Sequence, residues 1–196
     1  MSTYDAALSY LYNSLASFQR SGEKAVFFTL DNIKALCSIF ANPHKSFPSI
    51  HIAGTNGKGS SAHLLAAILQ TNGYRTGLFT SPHLKSFRER ILVNNEQVSQ
   101  EFIIAFVHKL KSQVGKLNLS FFEVTVCMAF VYFAEQNVDI AIIETGMGGS
   151  FDATNIIQPE VALITNTAKD HQQILGDELV DIARHKAGII KKKLPS

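Results

Sequence analysis

The chain is 196 residues long, with 46% hydrophobic residues, 17% charged residues and a formal net charge of +2. This composition fits one globular domain with a sizeable core, and the charge is too small to indicate nucleic acid or a membrane surface as partner. No segment has the roughly 18 consecutive apolar residues of a membrane span, and the first residues lack the pattern of a signal peptide. We therefore expect a cytoplasmic, monomeric protein that binds neither nucleic acid nor membranes.

Hydrophobic periodicity predicts helices alternating with strands. Helices are predicted over 4–17, 30–40, 59–72, 99–115, 120–136 and 177–189, and strands within 46–54, 74–81, 88–99, 138–146 and 160–166. The strand at 88–99 contains Asn94-Asn95, which predicts a hairpin turn, and the helix 59–72 is predicted to pack through Leu64, Leu65, Ile68 and Leu69. Strands that are apolar on both faces predict an α/β fold, with a mostly parallel sheet covered by helices on both sides.

Groups suited to ligand binding follow four of the predicted strands. They are the glycine loop 54–59, Ser81 with Pro82 and His83, Glu144 with the glycines after it, and the segment 167–172 that contains Asp170 and His171. In open α/β sheets, ligands bind outside the carboxyl ends of the strands. We therefore expect these groups to converge at one edge of the sheet.

The glycine loop differs from the common phosphate-binding pattern G-x-x-x-x-G-K-[ST]. Lys58 is followed by Gly59, the hydroxyl comes one residue later at Ser60, and Ile52 stands where the first glycine belongs. The loop is either a plain strand-to-helix turn or a nucleotide site in which backbone N–H groups and Lys58 hold phosphates. We favour the nucleotide site, with these contacts: Gly54, Thr55, Asn56, Gly57, Lys58, Gly59, Ser60 and Ser61.

Three further side chains have both a functional and a structural interpretation. Glu144 closes an apolar strand and either pairs with a metal such as Mg²⁺ or faces water at the strand end. His171 either acts at the carboxyl end of a strand or is an ordinary loop histidine. Lys186 lies between Ile182 and Ile189 on the apolar stripe of the last helix, so it either snorkels outward or reaches a buried partner.

Five stretches, in this order, resemble the folylpolyglutamate synthase/dihydrofolate synthase family of the Mur ligase superfamily. They are HIAGTNGKGSS, GLFTSPHLKSFRERI, FFEVTVCMAF, DIAIIETGMGGSFDATNII and DHQQILGDELVDIARHKAGIIK. The loop form GTNGKGS, with its extra glycine before the hydroxyl, is the form that this family uses. The resemblance covers residues 8–191 and is specific because all five stretches occur together with the family's spacing.

The resemblance implies an ATP-dependent amide ligase. In this family, ATP phosphorylates a carboxylate of dihydropteroate or of a folate, and the amino group of L-glutamate attacks the resulting acyl phosphate. The implied fold is the P-loop NTPase-like central domain of Mur ligases. We expect residues 1–196 to form this one ATP-binding domain, with N-terminal helices in 1–48, an incomplete C-terminal end and no C-terminal glutamate-ligase domain.

Residue roles carry over by motif. Ser81 and Glu144 would bind one Mg²⁺, Glu144 and His171 a second, and Ser60 would lie near the phosphates or their metal. Lys186 matches the family's carbamylated lysine, whose anionic oxygens suit a hard cation. Lys58, His171 and Lys186 would then be the catalytic residues.

The chain departs from the family where Ser150 replaces the arginine that usually follows the paired glycines. This departure and the short length leave two alternatives open. One is a truncated, catalytically inactive nucleotide-binding module, and the other is a Mur-type ligase that acts on cell-wall precursors. The candidates for a pterin site are the loop 24–32 and Phe121-Phe122.

Overall fold

The computed structural model describes residues 3–15, 29–114 and 117–191. The strands are β1 Ser49–Ala53, β2 Thr76–Phe79, β3 Ile91–Val93, β4 Glu96–Gln97, β5 Ile140–Glu144 and β6 Val161–Ile164. The helices are α1 Tyr4–Ser14, α2 Asp31–Ile39, α3 Lys58–Thr71, α4 Gln100–Gln113, α5 Phe121–Glu135, α6 Gln172–Leu175 and α7 Leu179–Ala187. Among the described helices, none has the length and apolar character needed to cross a membrane.

The strands form one sheet in the order β4-β3-β2-β5-β1-β6. Strands β2, β5, β1 and β6 are parallel, whereas β3 and β4 run antiparallel at one side. Because β3 is antiparallel, its beginning lies beside the carboxyl end of β2, and the Thr80 N–H donates to the Arg90 carbonyl at 3.1 Å. The predicted α/β fold with a mostly parallel sheet is confirmed.

The hairpin between β3 and β4 is also confirmed. Asn94 and Asn95 both have a positive φ, 50° and 65°, as the tight two-residue turn of a twisted hairpin requires. The Asn94 side chain accepts the Thr76 N–H at 2.9 Å, which ties the turn to β2.

Helices cover both faces of the sheet. Ile142 packs toward α3, whereas its neighbour Ile143 packs toward α5 and the larger cluster that also includes α1, α2 and α4. On that larger side, a Cβ on Gly77 of β2 would lie only 2.9 Å from the ring of Phe133 in α5. The missing side chain at Gly77 therefore lets α5 approach the sheet closely.

The packing face of α3 differs from the prediction. Leu64 and Ile68 are 66% and 58% exposed, whereas Ala62 and Ala66 are buried with Leu65 and Leu69 beside them. These four residues also have helical spacing, and small alanines let the helix axis lie closer to the strands than leucines would.

Two helix boundaries also differ. The predicted helix 177–189 begins only at Leu179, because a separate short helix, α6, ends at Gly176 with φ 99°. The first helix ends at Ser14, and residues 16–17 of the predicted helix lie outside the described residues.

Replacing Phe133 by alanine tests the close packing of α5 on β2. Phe133 is fully buried, so we expect Phe133→Ala to lower the free energy of unfolding by about 3–5 kcal/mol, through lost burial and a cavity. Urea unfolding measures the change. The control is Leu64→Ala at an exposed position, whose free energy of unfolding should stay within about 0.5 kcal/mol of the wild-type value. Equal losses in both variants would contradict this packing.

Candidate active site

The glycine loop joins β1 to α3 in the geometry of an anion site. Gly57 has φ 80°, a left-handed conformation that favours glycine, and α3 begins at the next residue, Lys58. The Lys58 ammonium donates to the carbonyls of Gly54 and Thr55 at 2.9 and 3.2 Å. The first N–H groups of a helix have no acceptor within it, so this end of α3 offers donors beside a cation.

The segment after β6 holds the loop in place. The Asn166 side-chain oxygen accepts the N–H groups of Thr55 and Asn56 at 3.1 and 3.0 Å. The Thr55 hydroxyl donates to the Ala168 carbonyl and accepts the Ala168 N–H. Sequence reasoning missed Asn166, although its position at the end of a strand could have indicated it.

Gly54 is needed because the neighbouring strand leaves no room for a side chain. A Cβ at this position would lie 1.9 Å from the Thr165 hydroxyl oxygen. That hydroxyl donates to the Asn56 carbonyl at 2.7 Å, so moving it would release the loop. Gly54 therefore lets β6 and the loop pack against each other.

Glu144 is buried beside the loop. The residue is only 3% exposed, and its carboxylate accepts the Ser81 N–H at 3.1 Å. Burial raises the pKa of Glu144, while the Ser81 N–H and the charge of Lys58 oppose this increase. The interpretation that Glu144 faces water is therefore wrong.

The structure also explains the unusual Gly59. A Cβ at Gly59 would lie 3.6 Å from one Glu144 oxygen and 3.8 Å from the other. The serine or threonine of the common pattern would place its hydroxyl in the space next to this carboxylate. Glycine keeps that space open at the start of α3.

Lys186 points inward. It is 2% exposed, which excludes snorkelling. Burial and the nearby charge of Lys58 lower the pKa of Lys186, and Asp170 opposes the decrease. Asp170 in turn lies 3.6 Å from His171 Nε2, and His171 adopts the left-handed conformation, with φ 50°, where α6 begins.

Ser150 fastens the helix that carries Lys186. Its N–H and hydroxyl both donate to the His185 carbonyl, at 2.8 and 3.2 Å. The Asn155 side chain then donates to the carbonyls of Ser150 and Gly188, and Lys191 donates to the Asn155 side-chain oxygen. The residue that replaces the usual arginine therefore joins the loop after β5 to the end of α7.

The donor set near Glu144 fits Mg²⁺ bound together with phosphate. Among the described residues, no group of three or more His, Cys, Asp or Glu side chains is placed to hold a metal. Mg²⁺ instead commonly takes one or two carboxylates and completes its shell with hydroxyl, water and phosphate oxygens. Glu144 and Ser81 are adjacent through the Ser81 N–H, and metal coordination by Ser81, Glu144, the exposed Ser60 and His171 stays a prediction.

The fold and this edge of the sheet define a class of protein. Residues 52–196 match the model of the Mur ligase middle domain, and the chain belongs to this family. Within the superfamily it is similar to dihydrofolate synthase/folylpolyglutamate synthase from Bacillus subtilis, with 39% identity over 98% of this chain and 45% of the relative. The folylpolyglutamate synthase of Lacticaseibacillus casei is 39% identical over 83% of this chain and 40% of the relative.

Solved structures agree with this relationship. Folylpolyglutamate synthase from Thermotoga maritima superposes with a TM-score of 0.80 and 39% identity, covering 98% of this chain and 43% of the other. FolC from E. coli, in complex with DHPP and ADP, gives a TM-score of 0.88 and 33% identity, covering 98% and 45%. The chain thus spans less than half the length of these relatives, and the family resemblance is confirmed.

Removing the Asn166 side chain tests its hold on the loop. In Asn166→Ala the Asn56 N–H loses its acceptor, and we expect its amide hydrogen to exchange about tenfold faster. Asn166→Asp keeps an acceptor oxygen at the same place and should retain slow exchange. Unchanged exchange in the alanine variant would contradict the role of Asn166.

Replacing Lys186 tests the cost of gathering cations here. In protein kept free of carbon dioxide, so that Lys186 stays unmodified, Lys186→Met removes a buried ammonium near Lys58, and we expect the midpoint of thermal unfolding to rise by about 2–4 °C. Calorimetry measures the shift, and Lys169→Met, at an exposed position of the neighbouring loop, serves as the control. A lower midpoint for Lys186→Met would show that the lysine stabilises the fold.

Proposed function

We propose that this chain is the ATP-binding portion of an amide ligase that joins L-glutamate to dihydropteroate or to a folate through an acyl phosphate. The observation that carries the proposal is the convergence of Lys58, Glu144 and Lys186 at one edge of the sheet. Family membership supports it, as do relatives solved with DHPP and ADP or with AMPPCP and folate.

Each group at this edge has a task that suits phosphoryl transfer. Lys58 and the N–H groups at the start of α3 bind the phosphates of ATP. Glu144 and Ser81 hold Mg²⁺, which when bound neutralises charge on the phosphates and orients them. Because the transferred phosphoryl group needs mostly positioning and charge neutralisation, this rigid edge supplies what the first step requires.

Lys186 suits modification by carbon dioxide. Its lowered pKa favours the neutral amine, whose nitrogen adds to the carbon of carbon dioxide and loses one proton to water to form a carbamate. The carbamate converts repulsion between Lys186 and Lys58 into attraction and supplies anionic oxygens for a metal. His171, which lies beside Asp170, is then the proposed partner of Glu144 at a second Mg²⁺.

Activity measurements distinguish the two alternative functions from the proposed one. An inactive nucleotide-binding module would bind Mg-ATP but release no phosphate when L-glutamate and dihydropteroate are added. A cell-wall ligase would accept a muramyl substrate in preference to dihydropteroate. The names of the relatives favour a folate substrate over a muramyl substrate.

Nucleotide binding is tested by removing Lys58. Because the ammonium lies inside the phosphate loop, we expect Lys58→Ala to weaken Mg-ATP binding at least about tenfold, measured by calorimetry. Lys45→Ala is the matched control, since Lys45 is exposed before the start of β1, away from this edge. Equal affinity of the wild type and Lys58→Ala would overturn the proposed nucleotide site.

A further inference from the structure

Arg90 is a buried cation that the proposed nucleotide and metal sites do not use. It ends the 3-10 turn Phe87–Arg90 immediately before β3 and is only 5% exposed. Burying a guanidinium is costly unless an anion or several hydrogen-bond acceptors compensate for the lost water. The neighbours of Arg90 therefore indicate which hydrogen-bond partners its guanidinium still lacks.

Those neighbours satisfy only part of the guanidinium. Its Nε–H donates to His83 Nδ1 at 2.7 Å, and its central carbon lies 5.4 Å from the centre of the Phe121 ring. Within residues 3–15, 29–114 and 117–191, Arg90 makes no ion pair, and its side chain makes no other hydrogen bond. An arginine presents five N–H donors in a planar fork, so both terminal nitrogens remain available to a ligand.

Among the described residues around Arg90, no carboxylate lies at contact distance to compete with a ligand for the guanidinium. The His83 nitrogen that accepts from Arg90 carries no proton, so His83 is an acceptor and not a second cation at this contact. Tyr12 stacks on Phe121 with ring centres 5.3 Å apart, and the two rings form an aromatic wall beside the cation, with the Tyr12 hydroxyl 3.5 Å from His83 Nε2. Burial lowers the pKa of Arg90, and the charges of Tyr12 and then Glu144 oppose the decrease, although neither forms an ion pair with Arg90 among the described residues.

The order of the strands decides which anion Arg90 faces. Along the edge, the sheet places the Lys58 loop after β1, Glu144 at the end of β5, Ser81 after β2 and Arg90 before β3. Glu144 and Ser81 therefore lie between Arg90 and the phosphate loop. An anion at Arg90 would approach the metal-binding residues from the side opposite the nucleotide.

We propose that Arg90 binds the carboxylate of the acceptor substrate, the group that ATP activates, and orients it toward the terminal phosphate. This inference rests on the proposed function. A planar guanidinium binds a carboxylate through two parallel hydrogen bonds, which fixes the direction of the oxygen that attacks phosphorus. The adjacent aromatic wall suits an acceptor whose carboxylate is attached to a flat ring system.

Affinities for an acid and its amide test the inference. In full-length protein with Mg²⁺ and AMPPCP, binding of pteroic acid and of its uncharged amide is measured by fluorescence titration for the wild type, Arg90→Gln and Arg88→Gln. We expect Arg90→Gln to weaken the acid at least about tenfold and to leave the amide and AMPPCP within about twofold. Arg88 is the matched control because it lies in the same turn and donates to the Val98 carbonyl.

Each other result overturns the inference in a recognisable way. Equal weakening of acid and amide would assign Arg90 a structural role, and weaker AMPPCP binding with unchanged acid binding would assign it to phosphate. Wild-type protein that binds neither pteroate ligand would overturn the proposed function as well. If Arg90→Gln unfolds, Arg90→Lys keeps the charge but not the fork, and acid binding as tight as in the wild type would overturn the inference.

Discussion

The rest of the site depends on one electrostatic constraint: cations are gathered around a buried carboxylate at one edge of the sheet. Each of the three cations, Lys58, Arg90 and Lys186, interacts electrostatically with another charged group there, and Glu144 lies among them. Such an arrangement is poor for stability, because buried like charges repel and lose water. The triphosphate and the carboxylate of the proposed function would bring the negative charge that compensates these cations.

A rigid frame keeps these charges where they are. Asn166 and Thr165 bind the phosphate loop to the end of β6, while Ser150 and Asn155 bind the loop after β5 to the end of α7. The polar groups in both connections are paired with one another. These loops therefore keep their shape through hydrogen bonds rather than through an apolar core, as is common for segments at the edge of a sheet.

The sequence predicted the helices and strands, and the edge of the sheet where the candidate site lies, better than it predicted the contacts between side chains. Alternating patterns and turn residues such as Asn94-Asn95 act locally, so the sheet and its hairpin could be predicted. The predicted face of α3 was right for Leu65 and Leu69 and wrong for Leu64 and Ile68, because apolarity alone does not tell which of two helical stripes lies closer to the sheet. Asn166 was missed because its value depends on hydrogen bonds to residues 110 and 111 positions away. The loop 24–32 stays untested, since 24–28 lie outside the described residues.

The sequence by itself determined the fold class, the glycine loop 54–59 with its unusual Gly59 at the start of a helix, and the family through five ordered motifs. Only the tertiary structure decided that Lys186 is buried, that Glu144 does not face water, and that Arg90 lies on the far side of Glu144 from the loop. The physical reason is that local patterns record the burial and turns of each element. The electrostatic environment of an ionisable group depends on the order of the strands, because that order brings residues together that are distant in the sequence.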